Sequence, residues 1–486
     1  MKLGAWLLDE AVPAEQAEML LEGVAEHHAE VRPGFAFVAA TADAATALNH
    51  IAQARAAGAV VAVTSAGIET ASSGLPVVLI DNVAARRGEL ARRFYGDPTA
   101  AQTVIGVTGT NGKTSVAYHL ADLMRVLKGR SGYIGTLGWG DAEALRELHM
   151  TTPNATALQR MCADMLSNGI EDVACEISSH ALEQGRAAEL AVDYAVFTNL
   201  SRDHLDYHET MAAYGAAKRR LFTDFALRGA VINIDDEFGA ELARDLACPV
   251  VTIGQDGDWQ VQAQLCGEGM DVEWQSPLGP LAARLPVLAE YAVTNITCAL
   301  AVMALQGADA GTLTEALRRL RQVPGRMEIV PGAQDFAVIV DFAHTPDALA
   351  KALQALRPSV RGRLICLIGC GGDRDAGKRA QMGRIAATHA DLVWLTSDNP
   401  RSENPAEIIA AMRAGAGDGL VWECEDRAQA IGRAIFTAGS GDVVLLAGKG
   451  HEHTQEIGGE FFALDDRLVA AQALLEYSSD DVVGGG

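Results

Sequence analysis

A glycine-rich stretch near residue 110 carries the residue types that phosphate binding needs. The sequence TGTNGKTS, residues 108–115, follows the apolar run TVIGV and precedes the helix-like segment KTSVAYHLADLM. In a strand–loop–helix arrangement, backbone N–H groups and the helix dipole converge where phosphates would lie. Lys113 would then meet the β- and γ-phosphates, and Thr114 would bind Mg²⁺. A strict P-loop pattern also requires glycine six positions before the lysine, where Val107 stands, so a purely structural turn is the alternative interpretation.

Further polar residues follow two other apolar runs. Glu176 comes directly after DVAC, and the segment TNLSRDHLDYH places Asp203, His204, Asp206 and His208 after YAVF. Open α/β sheets bind ligands at the carboxyl ends of their strands. A carboxylate and an imidazole that meet there could hold a divalent ion beside the phosphates.

Two residues in this region have plain structural interpretations. His180 is better explained as a capping or hydrogen-bonded histidine than as a ligand, and spacing alone leaves His204 undecided between the two roles. Lys218, in YGAAKRRLF, lies in an amphipathic helical segment and reads, by itself, as a solvated lysine.

Composition limits the function. The chain has 39 Lys and Arg against 63 Asp and Glu, a formal charge of −24, which argues against a nucleic-acid surface. The first residues make a poor signal peptide, and no apolar run is long enough to span a membrane. The eight cysteines include no Cys-x-x-Cys pair, as expected for reduced thiols. We therefore expect a cytoplasmic monomer without nucleic-acid or membrane partners, acting on small molecules.

Apolar runs alternate with helical segments along the whole chain, which predicts an α/β protein with mostly parallel sheets. At 486 residues, several domains are expected. We divide the chain into a small N-terminal α/β domain (1–100), a central P-loop ATPase domain (101–326) and a C-terminal Rossmann-like, doubly wound domain (327–486). The tail SSDDVVGGG is expected to fray.

Ten segments occur in an order and spacing that resemble the Mur ligases, over roughly residues 100–470. They are GVTGTNGKTS, TTP, EISSHALEQGR, TNLSRDHLDYH, YGAAKRRLF, PGRMEIV, DFAHTPDAL, CGGDRDAGKR, DNPRSENP and AGKGHEHTQ. Ten ordered segments are specific, whereas one phosphate loop would be weak.

This resemblance implies an ATP-dependent amide ligase. In the branch with the DNPR signature, it implies addition of meso-diaminopimelate to the D-glutamyl carboxylate of UDP-MurNAc-L-Ala-D-Glu, through an acyl phosphate. The family pattern assigns catalytic roles to Lys113, Glu176, His204 and Lys218. It assigns one or two Mg²⁺ ions to Thr114, Glu176, His204 and Lys218, and it implies that Lys218 is carbamylated. The resemblance therefore argues against the interpretation of Lys218 as a solvated lysine.

The resemblance also implies three sets of binding residues. The ATP set is Gly109, Thr110, Asn111, Gly112, Lys113, Thr114, Ser115, Asn295, Arg326 and Asp341. The acceptor set is Thr151, Thr152, Ser178, Gln184 and Arg186. The amino-acid set is Arg374, Asp398, Asn399, Pro400, Arg401, Gly448 and Glu452. The guanidinium of an arginine such as Arg401 can bind a distal carboxylate in bidentate fashion. Lysine as a substrate has no distal carboxylate.

The N-terminal region departs from the family. Where relatives have an Asp-Ser-Arg tripeptide and a glycine-containing loop for the uridine, this chain has His27-His28-Ala29 and ATADAATAL. A paralogous ligase that joins an amino acid to an acceptor without UDP, such as a muropeptide or another carboxylate, is therefore the alternative. Folylpolyglutamate-type and cyanophycin-type ligases share the central ATPase, but DNPR together with GKGHE argues against both. A non-enzymatic descendant would be expected to lose Lys113, Glu176 or Lys218, and all three are present.

Overall fold

The computed structural model describes residues 1–41, 43–65, 73–266 and 269–483 of the chain. They form two compact units. The first contains Met1–Gln260, Gln275–Gly279 and Asn295–Arg319, and the second contains Val261–Trp274, Pro280–Thr294 and Leu320–Gly486. The main sheets of both units are mostly parallel and alternate with helices, which confirms the predicted fold class. The three domain boundaries proposed from the sequence stay a prediction.

A small parallel sheet opens the first unit. Its strands lie in sequence order: β1 (Gly23–Ala25), β2 (Phe35–Ala39), β3 (Val61–Thr64) and β4 (Val77–Leu79). The helices along it are α1 (Leu3–Trp6), α2 (Ala14–Ala17), α3 (Ala44–Ala56) and α4 (Val83–Tyr95). β1, β2 and β3 are buried along their whole length, which explains why they read as short continuous apolar runs.

A larger sheet of eight strands follows in the same unit, in the order β12-β11-β10-β5-β9-β6-β7-β8. Strands β5, β6, β9, β10, β11 and β12 pair in parallel, and the β6–β7–β8 meander is antiparallel. The strand bounds are β5 (Thr103–Thr108), β6 (Gly132–Gly135), β7 (Gly138–Asp141), β8 (Ala144–Arg146), β9 (Asp172–Glu176), β10 (Val192–Phe197), β11 (Gly229–Asn233) and β12 (Val250–Ile253). β5 and β9 are neighbours, so their carboxyl ends lie side by side.

Polar side chains start most helices around this sheet. Asn154, Ser178, Thr210 and Asp236 each accept a hydrogen bond from a backbone N–H of the first turn, which satisfies a donor that the helix cannot. The helices are α5 (Lys113–Lys128), α6 (Ala155–Ser167), α7 (Ser179–Glu183), α8 (Leu205–His208), α9 (Met211–Thr223), α10 (Glu237–Arg244), α11 (Glu290–Leu305) and α12 (Ala310–Leu317).

A three-stranded sheet, which the sequence analysis did not predict, comprises β13 (Gln260–Cys266), β14 (Gly269–Gln275) and β15 (Leu281–Leu285), with β14 and β15 antiparallel. In β14, buried Met270, Val272 and Trp274 alternate with exposed residues. This period of two is the usual pattern of a strand with one buried face, so the sequence did contain a signal for it.

The main sheet of the second unit has the order β16-β17-β21-β18-β19-β20, and all its pairs except β16–β17 are parallel. Separate apolar clusters cover its two faces, as in a doubly wound domain. The strands are β16 (Glu328–Ile329), β17 (Ala337–Asp341), β18 (Leu364–Ile368), β19 (Leu392–Leu395), β20 (Val421–Glu423) and β21 (Val443–Ala447), followed by a hairpin of β22 (Thr454–Ile457) and β23 (Glu460–Ala463).

The helices of this unit are α13 (Pro346–Leu356), α14 (Gly377–His389), α15 (Pro405–Ala416), α16 (Arg427–Thr437) and α17 (Asp466–Val483). The predicted fraying of the tail is wrong as far as Val483, because α17 continues to that residue; residues 484–486 lie outside the described part. Among the described residues, no helix combines the length and the apolar character that crossing a membrane requires.

Candidate active site

The glycine-rich loop joins β5 to α5, as predicted. Gly109 has φ +149°, and a Cβ there would lie 1.9 Å from the Thr198 hydroxyl oxygen. Gly112 has φ +87° and caps the N-terminus of α5. Val107 is a fully buried strand residue. The position that departs from the strict pattern therefore still belongs to β5, and the turn that needs glycine begins two residues later.

Two lysines converge on one carbonyl of this loop. Lys113 Nζ donates to the Gly109 carbonyl at 2.8 Å and to the Thr110 carbonyl at 2.9 Å, and Lys218 Nζ donates to the same Gly109 carbonyl at 2.8 Å. The spacing of 105 residues along the chain gave no sign of this pairing. Two basic side chains therefore meet at the loop of a strongly acidic protein.

Lys218 is not a solvated lysine. It is 1% exposed, and its ammonium lies 4.2 Å from the centroid of the Tyr214 ring. Burial, with Lys113 acting in the same direction, holds the pKa of Lys218 well below its usual range. A neutral amine is a nucleophile and can react with carbon dioxide, whereas an ammonium cannot.

Glu176 ends β9 next to the loop and is completely buried. Its Oε2 accepts a hydrogen bond from Thr114 Oγ1 at 3.0 Å, and its Oε1 accepts from Tyr133 Oη at 2.5 Å and from the Thr136 N–H at 2.8 Å. These donors hold the carboxylate in one orientation. A hydroxyl and a carboxylate oxygen at the phosphate loop match the hard-oxygen ligands that Mg²⁺ prefers, so the residues present fit such an ion.

His204 stands at the start of α8 with a left-handed backbone, φ +51°. Partial burial lowers the pKa of its imidazole; Lys113 and Lys218 act in the same direction, while Asp203 opposes them. His208, which spacing also suggested as a possible ligand, instead binds Ser179 and Glu183. Within the described residues, no group of three or more His, Cys, Asp or Glu side chains is arranged to hold a metal ion.

The five predicted acceptor residues lie together beside Glu176. Thr152 Oγ1 donates to the Glu176 carbonyl at 2.8 Å and accepts from the Ser178 N–H at 3.0 Å. Arg186 donates to the Thr152 carbonyl at 3.1 Å and to Gln184 Oε1 at 2.8 Å. Thr151 shares a 3.2 Å hydrogen bond with Thr136, which also contacts Glu176.

The remaining ATP candidates fall in both units. In the first, the Asn295 side chain lies against the loop, since a Cβ on Gly112 would be 2.6 Å from its Oδ1. In the second, the Arg326 guanidinium lies 4.6 Å from the centroid of the Phe342 ring. Asp341 accepts from the N–H groups of Met327 and Ala343 at 2.8 and 2.9 Å. Burial raises the pKa of Asp341, and Arg326 opposes that shift.

The DNPR segment follows β19 and meets the GKGHE segment that follows β21. Asn399 Nδ2 donates to Glu452 at 2.9 Å, and a Cβ on Gly448 would lie 2.9 Å from Asp398 Oδ2. Lys449 is fully buried and donates to Asn399 Oδ1 at 3.1 Å and to Glu452 at 2.9 Å. The sequence analysis missed Lys449, although its place inside GKGHE was a signal.

Arg401 is already engaged by the protein. Its Nε donates to Glu456 at 3.0 Å and its Nη1 to the Gly372 carbonyl at 2.7 Å, with φ at +53°. These contacts hold the guanidinium of a half-buried residue in one plane. Arg374, by contrast, is exposed and donates to the carbonyl of its neighbour Asp373 at 3.3 Å. Glu456 was also missed, and nothing in its sequence context marked it.

At the N-terminal sheet, three imidazoles lie close together. The His27 and His28 rings stack with centroids 4.5 Å apart, and His50 from α3 lies 5.9 Å from His28. Glu26 pairs with Arg87 at 3.0 Å. The stretch ATADAATAL follows β2, and its residue 42 lies outside the described part.

A strand, a glycine-rich phosphate loop and a helix, with a buried carboxylate at the next strand end, define a P-loop nucleotide-binding enzyme. Two family models match this chain, the Mur ligase middle domain at residues 107–303 and the Mur ligase glutamate ligase domain at residues 325–450. The chain belongs to the Mur ligase family, whose members are ATP-dependent, amide-bond-forming ligases.

Several ligases are similar in sequence to this chain over nearly its whole length. The UDP-N-acetylmuramoyl-L-alanyl-D-glutamate–2,6-diaminopimelate ligase of Ectopseudomonas mendocina is 43% identical, and the match covers 97% of this chain and 99% of the relative. The ligase of the same name from Pseudomonas aeruginosa is 42% identical, with 96% and 98% covered. A solved structure of a ligase with this name has a TM-score of 0.69 at 31% identity, covering 98% of this chain and 99% of that one.

More distant structures share the fold alone. MurF from Thermotoga maritima in complex with ADP has a TM-score of 0.61 at 17% identity, covering 96% of this chain and all of that one. A folylpolyglutamate synthase from Mycobacterium tuberculosis has a TM-score of 0.61 at 18% identity, covering 80% and 95%. The architecture is therefore shared with proteins of different names.

Proposed function

We propose that this protein joins meso-diaminopimelate to the D-glutamyl carboxylate of UDP-MurNAc-L-Ala-D-Glu, with hydrolysis of ATP to ADP and phosphate, in peptidoglycan precursor synthesis. Relatives that carry this name are 39–43% identical over nearly their full length. One observation carries the proposal. The acceptor residue Thr152 donates a hydrogen bond to the Glu176 carbonyl, and the Glu176 carboxylate accepts one from Thr114 of the phosphate loop. An acceptor carboxylate and a γ-phosphate would therefore meet at one place.

The reaction needs two displacements. The acceptor carboxylate attacks the γ-phosphorus, the bond to the β-phosphate oxygen breaks, and ADP leaves. The amine of the amino acid then attacks the acyl carbon, phosphate leaves, and the nitrogen loses a proton. The first step is necessary because a free carboxylate has no good leaving group. Lys113 and the loop N–H groups stabilise the negative charge that spreads over the transferring phosphoryl group.

We assign Thr114 and Glu176 to one Mg²⁺ ion, and His204 with a carbamylated Lys218 to a second. Mg²⁺ would supply electrostatic stabilisation of the phosphate oxygens. Support for carbamylation comes from the family resemblance and from geometry. Lys218 is buried beside another lysine, where its charged form is unfavourable, and a carbamate on its nitrogen would provide oxygen ligands.

For the incoming amino acid, we propose recognition by the DNPR and GKGHE segments of the second unit. Glu456 and the Gly372 carbonyl hold Arg401, so its guanidinium is oriented in advance for a distal carboxylate. Asn399, Glu452 and Lys449 form a connected polar network beside it. Diaminopimelate offers a distal carboxylate and lysine does not.

For the acceptor, the UDP-linked dipeptide is preferred because its contact residues cluster as described. The alternative of a non-UDP acceptor rests on the His27–His28 stack, which stands where relatives bind uridine. We further propose that the protein is a monomer and that it is cytoplasmic; the second proposal is supported by its eight free thiols, as is usual in reducing compartments.

Phosphate release from ATP tests the proposal. With the UDP-linked acceptor, meso-diaminopimelate should support a kcat/KM roughly 10³-fold or more above that for L-lysine, because a site built for polar contacts rejects a substrate lacking them. Arg401→Gln should reduce this ratio, while Arg413→Gln on the exposed face of α15 should not. Equal rates with both amines would show that Arg401 does not read a distal carboxylate.

A further inference from the structure

A hydrogen-bond chain centred on the buried His208 imidazole connects α7 to α8 next to the proposed reaction centre. His208 Nε2 lies 2.9 Å from Ser179 Oγ, and His208 Nδ1 lies 3.0 Å from Glu183 Oε2. The His208 side chain is 1% exposed. An ionised carboxylate can only accept, so Nδ1 carries a proton, and Nε2 shares a hydrogen bond with the serine hydroxyl. Both ring nitrogens are therefore used inside the protein.

Serine, histidine and glutamate in this order resemble a nucleophile, a base and an orienting carboxylate. Ser179 is only 2% exposed, however, and its hydroxyl points to the histidine within the helix pair. An acyl substrate has no access to it. The Ser179–His208–Glu183 hydrogen bonds therefore position structural elements and do not form a second catalytic centre.

The hydrogen bonds of the His208 side chain fix the start of α8. The His208 N–H donates to the His204 carbonyl at 2.9 Å, which closes the single turn of this helix. His204 itself has a left-handed backbone and no side-chain cap. Such a conformation is unfavourable for a residue with a Cβ and persists only where surrounding contacts impose it. A four-residue helix cannot impose it alone.

Helix α7, which contacts α8, is itself attached to the end of β9 through hydrogen bonds. Its N-cap Ser178 binds Thr152, which binds the Glu176 carbonyl. At its other end, Gln184 donates to Tyr207 Oη at 3.1 Å, a second link to α8. Ser179 and Glu183 are four residues apart, so they project from one face of α7 toward the same imidazole.

We propose that His208 is a positioning residue, which acts through Ser179 and Glu183 to fix the His204 imidazole relative to the acceptor helix α7. This inference rests on the proposed function for its kinetic consequence. Outer contacts that orient a metal-binding group typically change metal affinity or activity by roughly 10–100-fold when removed. Recognition of the amino acid, by residues of the second unit, should not depend on it.

The test uses the full-length enzyme and two single variants, Ser179→Ala and Glu183→Leu. Each should lower kcat by about tenfold and raise the Mg²⁺ concentration for half-maximal activity, with the KM for diaminopimelate unchanged. Glu183→Gln, which keeps an acceptor for the Nδ1 proton, should behave like the wild type. Because both residues act through one imidazole, the double variant should be no worse than the poorer single variant.

A second readout does not depend on activity. The imidazole C2-proton signal of His204, assigned by a His204→Gln spectrum, should shift in both single variants and not in Glu183→Gln. Wild-type kcat, Mg²⁺ dependence and His204 signal in both variants would overturn the inference, as would fully additive losses. If Ser179→Ala does not fold, Glu183→Leu at its half-exposed position decides the matter. A wild-type enzyme without ligase activity would refute the proposed function, and the His204 signal would still judge the positioning role.

Discussion

The first unit contains two parallel sheets whose carboxyl edges differ sharply. At the eight-stranded sheet, β5 and β9 end in a glycine-rich loop and in the buried Glu176. At the four-stranded sheet, β1 ends at Glu26 and the His27–His28 pair, and β2 ends in an alanine-rich segment. Parallel strands produce the same kind of edge in both places. Chemistry is thus decided by the loops that follow the strands and not by the sheet.

Burial separates the two edges further. Around the loop, Glu176 and Lys218 are 0% and 1% exposed, and each is held by specific partners. At the smaller sheet, His27 is exposed and His28 half-buried. Charges in a dry, fixed environment interact more strongly than charges in water. Substitutions at the larger sheet should therefore cost much more activity than substitutions at the smaller one.

The largest effect should come from Lys113→Ala. We expect ligation to fall by roughly 10²-fold or more, because this lysine stabilises transition-state charge, while the protein stays folded. Lys128→Ala, at the other end of α5 and paired with Asp172, is the matched control and should retain activity. ATP-dependent phosphate release and thermal unfolding measure both. More than about a tenth of wild-type activity in Lys113→Ala would contradict the electrostatic role.

Lys218→Ala should come next, with activity close to background. A short carboxylic acid added to this variant should restore part of it, since its oxygens can occupy the place of the carbamate. Arg219→Ala, the adjacent position on α9, pairs with Glu241 at the surface and should change little. Mass spectrometry under mild conditions can look for the added carbon dioxide. An active Lys218→Ala variant that ignores the acid would return Lys218 to a structural role.

The smallest effect should concern the N-terminal edge. Removing UDP from the acceptor should lower kcat/KM by roughly tenfold, equal to about 1.4 kcal/mol, because remote binding energy helps to place the reacting end. His28→Ala should reduce the difference between the two acceptors, whereas His149→Ala, a highly exposed histidine, should not. If removal of UDP changes nothing, the non-UDP acceptor is the better interpretation.

Much of the architecture was available from the sequence. Runs such as DVACEIS, YAVFTNL and RLICLIG became β9, β10 and β18, because central parallel strands are buried on both faces and read as continuous apolar stretches. Short strands at edges and in meanders, such as β7, β8, β22 and β23, were not predicted. They are only three or four residues long, which is too short for a periodic pattern to stand out from the surrounding loop sequence.

For the candidate site, local spacing was enough to place the phosphate loop and the residues at strand ends. It could not show that Lys113 and Lys218 share the Gly109 carbonyl, or that Glu456 holds Arg401. A hydrogen bond depends on positions in space, and these partners are separated by 105 and 55 residues.

The sequence by itself determined the class of chemistry, because the lysine, carboxylate and glycines of the loop are needed whatever surrounds them. The tertiary structure alone decided the state and orientation of these groups. Burial lowers the pKa of Lys218, and donors from β6 and its turn fix the Glu176 carboxylate. Both effects arise from desolvation and from contacts made only after the strands have paired.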